Sequence, residues 1–272
     1  MDRQLTLMAV HAHPDDEVLS TGGVLAKASA EGIRTVLVTC TNGEQGDGPG
    51  GVKPGEPGHD EASVRAVRLE ELRESVALLG ISDVELLGYG DSGMVGWTGN
   101  EHPEAFANIP LAESAGRLAE LMERYRPDVV VTYDENGNYG HPDHIQANRI
   151  TVAAIEKSGV PAKFYYAAIS RKGMTDLFAY LREVGTDFGD DFEPSDDFGT
   201  PDELITTTVD VSPYVVRKRK ALEAHGSQGD GIFMLRMPEE GQRRMFGQES
   251  FVRQFSTVPV PDHEDDLFAG LR

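Results

Sequence analysis

Apolar, β-branched runs alternate with stretches of helical periodicity from the amino end to Ser170, and no other feature of this 272-residue sequence restricts its fold as much. Leu5–Ala12, Arg34–Thr41, Asp83–Tyr89, Asp128–Asp134 and Lys163–Ile169 read as strands, with Glu17–Glu31, Asp60–Leu79, Pro110–Tyr125 and His141–Lys157 as the helices between them. Strands that are apolar at nearly every position are buried on both faces, which fits a mostly parallel sheet wound through right-handed crossovers. The expected fold is therefore α/β, a Rossmann-like three-layer sandwich. Its length suits a single domain, with residues 1–170 as the core and 171–272 as a smaller subregion that shapes a cleft.

Beyond Ser170 the regularity thins. An acidic, Gly-rich stretch from Gly185 to Glu203 reads as a loop, followed by a strand candidate at Leu204–Val211 and a helix at Pro213–Ala224. A second loop rich in Gly and Pro runs from Asn42 to Asp60.

Lys and Arg number 25 against 46 Asp and Glu, a net charge of −21. Such a surface repels phosphate backbones and anionic lipid, so neither nucleic acid nor membrane is expected as a partner. Cys40 is the only cysteine, which forbids an intramolecular disulfide and fits a reducing compartment. The first residues do not read as a secretory signal, and a cytoplasmic location is expected. A homo-oligomer is left open.

In an open α/β sheet, ligands bind outside the carboxyl ends of the strands. The first strand ends in "HAHPDDEVLSTGG", His11 to Gly23, and the fourth in "YDENGNYGHPDHIQA". Both turns carry His-Pro-Asp, with Pro14 and Pro142 set to open a helix, His13 at the N-cap, and Asp15 and Asp16 in the first turn. Helix capping accounts for one aspartate but not for a pair beside a histidine. His141 and His144, three apart on a helical turn, share a face. Imidazole and carboxylate together suit Zn²⁺, and the same set can hold Fe²⁺. A three-ligand site open to water would be supplied by His13, Asp16 and His144, although spacing alone does not fix which carboxylate ligates. Asp15 then remains to accept a proton and His141 to donate to developing negative charge. Asp143 is expected to hold the His141 tautomer or favour its imidazolium form.

At "AHPDDE" (Ala12–Glu17) and "HPDH" (His141–His144) the chain resembles the LmbE-like family, also called the PIG-L or N-acetylglucosaminyl deacetylase family. The likeness extends from about Leu5 to Ala154, with more in "KFYY", "ALEAHGSQ" and "LFAGL", and is greatest to the group acting in mycothiol metabolism. The resemblance implies a zinc hydrolase of an amide on a glucosamine nitrogen, acting on a small-molecule substrate. In it His13, Asp16 and His144 match metal ligands, Asp15 the general base, and His141, partnered by Asp143, the group that stabilises the oxyanion. Tyr139 matches a mobile tyrosine that reaches the intermediate. Arg68 and Asp91 match contacts to substrate hydroxyls, with Glu44 a weaker candidate. The bland readings are a surface pair of Arg68 with Glu71 or Glu74, and a turn at Asp91. Ser20 stands where mycothiol S-conjugate amidases typically carry lysine, which leans toward the deacetylases. "TYDENG", "LFAGL" and the segment from Asp187 to Phe198 lean toward the amidases.

Three other functions compete. A nucleotide-binding dehydrogenase needs a Gly-rich first turn, and "HPDDE" would repel a pyrophosphate there. A phosphoesterase wants cationic neighbours or a second metal, and both motif turns are acidic. A non-catalytic sugar-binding protein would have little use for Asp15 beside a full ligand set.

Overall fold

The computed structural model describes residues 3–186 and 198–272, with the backbone alone for 230–233. Strands β1 (Thr6–His11), β2 (Arg34–Thr41), β3 (Asp83–Tyr89), β4 (Val129–Thr132) and β5 (Lys163–Ala168) run parallel in the order β3-β2-β1-β4-β5. Between them lie helices α1 (Asp16–Ala30), α2 (Glu61–Leu79), α3 (Leu111–Tyr125), the single turn α4 (Gly137–Gly140) and α5 (Pro142–Ser158). The α/β sandwich with a mostly parallel sheet is thus as expected.

Successive residues of a strand face opposite sides, and the core divides accordingly. Leu7, Ala9, Leu37, Val129 and Val131 pack against α1 and α2 on one face, while Met8, Val10, Val36, Val38 and Val130 pack against α3 and α5 on the other. Cys40 is buried in the second face.

The chain winds outward from β1 to β3 on one side and, after α3, returns to start β4 directly beside β1, with Leu7 opposite Val129 and Ala9 opposite Val131. This reversal of winding leaves a crevice between the carboxyl ends of β1 and β4. Both His-Pro-Asp turns issue from those two ends, so the topology alone brings segments about 130 positions apart to one place.

Past Ser170 more regular structure forms than the sequence suggests. Helices α6 (Arg171–Glu183), α8 (Gly229–Arg236) and α9 (Glu239–Phe246), and strand β7 (Gln248–Ser256), were not anticipated. Strand β7 is the longest and runs antiparallel to both β5 and β6 (Thr207–Asp210), extending the same sheet. Helix α7 (Val215–Ala224) follows a short 3₁₀ turn at Ser212–Tyr214. Residues 187–197 of the acidic stretch expected to form a loop lie outside the described residues. Among the described residues, no helix is long and apolar enough to cross a membrane.

The carboxyl-terminal elements grip the amino-terminal ones through buried charge. The Glu249 carboxylate on β7 accepts the N–H groups of Gly23 (2.7 Å) and Val24 (2.8 Å) in the middle of α1, and pairs with Lys218 of α7 at 2.6 Å. Gly23 permits this approach, since a Cβ there would stand 2.5 Å from Val211 and 2.9 Å from Glu249. Near the chain's end Glu264, buried, gathers Lys163, Arg253 (2.6 Å), Tyr165 (2.9 Å) and Thr207 (3.1 Å), tying the last loop to β5, β6 and β7.

Candidate metal centre and active site

The two motif turns, alike in sequence, differ in backbone. At the second, Pro142 opens α5 and His141 is its N-cap, with Nδ1 accepting the Asp143 N–H at 3.2 Å, as expected. At the first, α1 begins only at Asp16, so neither Pro14 nor Asp15 is helical and His13 is not the cap. The reason is Asp15, the N-cap residue, whose φ of 103° is unlike any helical value and is rare for a residue with a Cβ. A conformation of this kind costs about 1–3 kcal/mol and persists only where its surroundings impose it.

Two imidazole nitrogens and the Asp16 carboxylate meet between the turns. His13 Nδ1 lies 3.2 Å from Asp16 Oδ2 and 3.3 Å from His144 Nε2, and His144 Nε2 lies 3.5 Å from Asp16 Oδ1. Ligands about 2.0–2.1 Å from a tetrahedral zinc stand about 3.4 Å from one another, and each of these three separations lies close to that spacing. His141 brings a ring nitrogen within 4.8 Å of the two other imidazoles, and His13, Asp91, His141 and Asp143 form a second group within the same limit. The donor set fits a divalent cation. Asp15, Asp16 and Asp91 line one pocket, with Asp143 behind them against His13, and among the described residues that line it Arg68 is the only permanent cation, so added positive charge is what the array lacks.

Orientation comes from residues around the triangle. Tyr133 donates its hydroxyl to Asp16 Oδ2 at 2.7 Å, accepts the Ala12 N–H at 2.8 Å, and stacks on His144 with centroids 4.1 Å apart. The Nδ1 of His144 points at the Gly137 carbonyl, 3.2 Å away, which leaves Nε2 for the centre. Gly137 has φ of 62°, and a Cβ on it would strike His144 Cβ at 2.6 Å. Tyr133 and Gly137 went unnoticed in the sequence, where both read as ordinary strand and loop residues.

Asp143 departs from expectation. Its carboxylate accepts from the backbone N–H of Ser92 (2.8 Å) and from the Ser92 hydroxyl, and lies 3.2 Å from His13 Nε2, so it orients His13 rather than His141. Side chains two apart at a helix start diverge, and only the Asp143 backbone N–H reaches His141. Because that N–H occupies Nδ1, the neutral His141 ring carries its proton on Nε2. The expected imidazolium is disfavoured, since burial, His13 and His144 together hold the His141 pKa down to about 3.

The other charges follow the same logic. Burial opposes a charge on His13, but Asp91, Asp143 and Asp16 outweigh it and lift its pKa well above the ordinary value. Burial likewise opposes ionisation of Asp16, yet His144 and His13 bring it well below the usual carboxylate range. Burial lowers His144 to about 4 against the pull of Asp16. Asp15, outside the triangle, is raised to about 6 by burial, with Arg68 opposing and Asp16 adding.

Of the positions expected to touch substrate, Arg68 and Asp91 line a cavity of about 230 Å³ together with His13, Asp15, His141, Gln45 and Trp97. Arg68 is buried and already committed, donating to the carbonyls of Pro14 (2.6 Å) and Gly43 (2.7 Å) and to Asp15 Oδ2 (3.2 Å). The surface pairing with Glu71 is not observed, because Glu71 instead accepts from Ser227. Asp91 accepts the Gly93 N–H at 2.9 Å, a turn contact, while its Oδ1 lies 3.5 Å from His13 Nε2. Ser20 lies on the opposite side, in a larger chamber of about 530 Å³ that also reaches Asp16, His144 and Tyr139. Glu44 lines a third, open polar groove, one carboxylate oxygen having no partner among the described residues. Tyr139 is half exposed, its ring 5.0 Å from that of His144.

Residues 8–155 match the family described as PIG-L, GlcNAc-PI de-N-acetylase. A 1D-myo-inositol 2-acetamido-2-deoxy-alpha-D-glucopyranoside deacetylase of Acidothermus cellulolyticus is 42% identical over 281 residues, covering 98% of this chain and 95% of that protein. The N,N'-diacetylchitobiose deacetylase of Pyrococcus horikoshii superposes with a TM-score of 0.60 at 19% identity, over 92% of this chain and 83% of that one. GalB, a 4-carboxy-2-hydroxymuconate hydratase of Pseudomonas putida, gives 0.62 at 17% identity over 95% and 99%. A deacetylase and a hydratase thus share this fold, and architecture by itself does not fix the reaction.

Proposed function

Since the chain belongs to the PIG-L family, we propose that it is a metal-dependent N-deacetylase of an N-acetylglucosaminyl substrate, with 1D-myo-inositol 2-acetamido-2-deoxy-α-D-glucopyranoside the first choice. The relatives carrying that name match nearly the full chain, which favours deacetylation over cleavage of a mycothiol conjugate. The observation that carries the reading is the convergence of His13, Asp16 and His144 on one point, with Asp15 and His141 beside it on the wall of one cavity.

His13, Asp16 and His144 would hold the ion, for which zinc is our choice. When bound, such an ion polarises the acetyl carbonyl and makes a nearby water more acidic. Asp15, on the cavity wall, accepts a proton from the water whose oxygen bonds to the acetyl carbon. His141 donates its Nε2–H to the oxyanion that develops. The C–N bond then breaks as the proton taken by Asp15 passes to the nitrogen, giving acetate and a free amine. Asp143 keeps His13 oriented, and Tyr139, its ring edge-on to that of His144, lines both cavities and is the residue we assign to reach the intermediate.

The test is amine release by the zinc-reconstituted chain from three substrates: N-acetylglucosaminyl-inositol, plain N-acetylglucosamine and a mycothiol conjugate. Preference for the first is expected. No amine from any of them under any metal condition would overturn the hydrolase in favour of a sugar-binding protein.

A further inference from the structure

Glu17 is the last acid of the "HPDDE" turn, and its side chain points away from the donor triangle into the protein. It is fully buried on α1. One carboxylate oxygen accepts from Ser75 Oγ of α2 at 2.6 Å and lies 2.8 Å from Nε2 of His225, which caps the end of α7. The other accepts the backbone N–H of Asp15 at 2.9 Å. The carbonyl on the far side of the same Pro14–Asp15 peptide accepts from Arg68 at 2.6 Å. That peptide plane is therefore gripped at both ends by buried, charged side chains, immediately before a residue at φ of 103°.

We propose that Glu17 and His225 are positioning residues: the carboxylate, fixed by His225 and Ser75, combines with Arg68 to impose the strained Asp15 backbone and so aims the Asp15 side chain into the cavity beside the donor triangle. Neither touches the reacting atoms. His225 contributes from 208 residues away in sequence; its hydrogen bond reaches the Asp15 backbone through Glu17, and its ring also lines the cavity that Asp15 faces. The same grip explains how a non-glycine residue keeps a conformation it would otherwise leave. The inference rests on the reading of Asp15 as the proton acceptor.

The experiment compares zinc-loaded wild type, His225→Ala, His225→Gln and Ser75→Ala. Metal stoichiometry, kcat and KM for N-acetylglucosaminyl-inositol are measured, and crystal structures of the variants are determined. His225→Ala is expected to keep its metal and its KM within about twofold, to lose about 10- to 100-fold in kcat, and to show Asp15 relaxed from positive φ. His225→Gln, whose Nε2 can occupy the place of the ring Nε2 and donate to Glu17, is expected to recover most of that kcat. Ser75→Ala removes only one of the bonds that fix Glu17, and it reports a smaller kcat loss should His225→Ala fail to fold. An unmoved Asp15 backbone in the variant crystals would overturn the proposal, as would a loss that falls on KM or metal content, or no rescue by glutamine. A fully active Asp15→Ala variant would instead sink the reading of Asp15, separately from whether His225 shapes its backbone.

Discussion

Nδ1 of His13 lies 3.3 Å from Nε2 of His144, although 131 positions separate the two residues. Each of these nitrogens also faces the Asp16 carboxylate, and two imidazoles and a carboxylate converging on one point are a donor set that suits a divalent cation. His13→Ala and His144→Ala are therefore expected to bind less than one ion per chain and to lose activity by about 10² or more. Elemental analysis after dialysis against dilute zinc checks this, and full metal in either variant contradicts the ligand set.

Asp15 stands outside that triangle, held by Arg68 and by its own backbone contacts. Asp15→Ala is expected to retain the ion while kcat falls by about 10²–10⁴, the span ordinarily supplied by a general base. Steady-state kinetics alongside metal analysis of the same preparation separates this outcome from simple loss of the ion.

Tyr133 links Ala12, Asp16 and the His144 ring through one buried hydroxyl and one aromatic face. Tyr133→Phe keeps the stacking and removes both hydrogen bonds, leaving the Ala12 N–H without its partner. Metal affinity is expected to weaken by about 10- to 100-fold, and stability to fall by about 1–3 kcal/mol. Competition against a zinc-selective chelator and urea unfolding measure the two effects.

Glu264 has a pKa below its ordinary value: burial opposes ionisation, but Lys163, Arg253 and Tyr165 outweigh it. The folded state thus releases this proton more readily than the unfolded chain. The resulting stabilisation is complete above the ordinary glutamate pKa and disappears as pH falls through the lowered one. Glu264→Gln is expected to cost about 3–5 kcal/mol near neutrality. The gap in urea midpoint between variant and wild type should narrow steadily below pH 4.5. A gap that stays constant down to pH 3 would rule out this ionisation as the source.

Much of the centre was legible because strand ends are. Once β1 and β4 are recognised as strands of one doubly wound sheet, "HPDD" and "HPDH" must emerge on the same edge, and their imidazoles and carboxylates have few other uses there. What a motif does not encode is backbone strain or the far partner of a side chain. Asp15 read as a first-turn acid because nothing local announces a φ of 103°, which is imposed by Arg68 and Glu17 through the tertiary fold. Arg68 read as a surface or substrate group because a helix in which Glu and Arg recur on nearly every turn gives little sign that one of its arginines is buried. Strand β7 escapes the sequence reading because "QESFVRQFS" alternates polar and apolar residues weakly, and α9, "EEGQRRMF", is half charged and holds a glycine. Both depend on partners supplied by β5, β6 and α6 rather than on their own pattern.

The Glu249 bonds to Gly23 and Val24 set a limit on modular engineering of this scaffold. Helix α1 begins at Asp16, one of the proposed ligands, and its middle is clasped by a carboxylate contributed 226 positions downstream. A chimaera that borrows its cleft-lining end from a relative must therefore inherit a glutamate, a lysine and a side-chain-free helix position as a matched trio, or the graft that was meant to change selectivity will instead loosen the helix that carries the ligand.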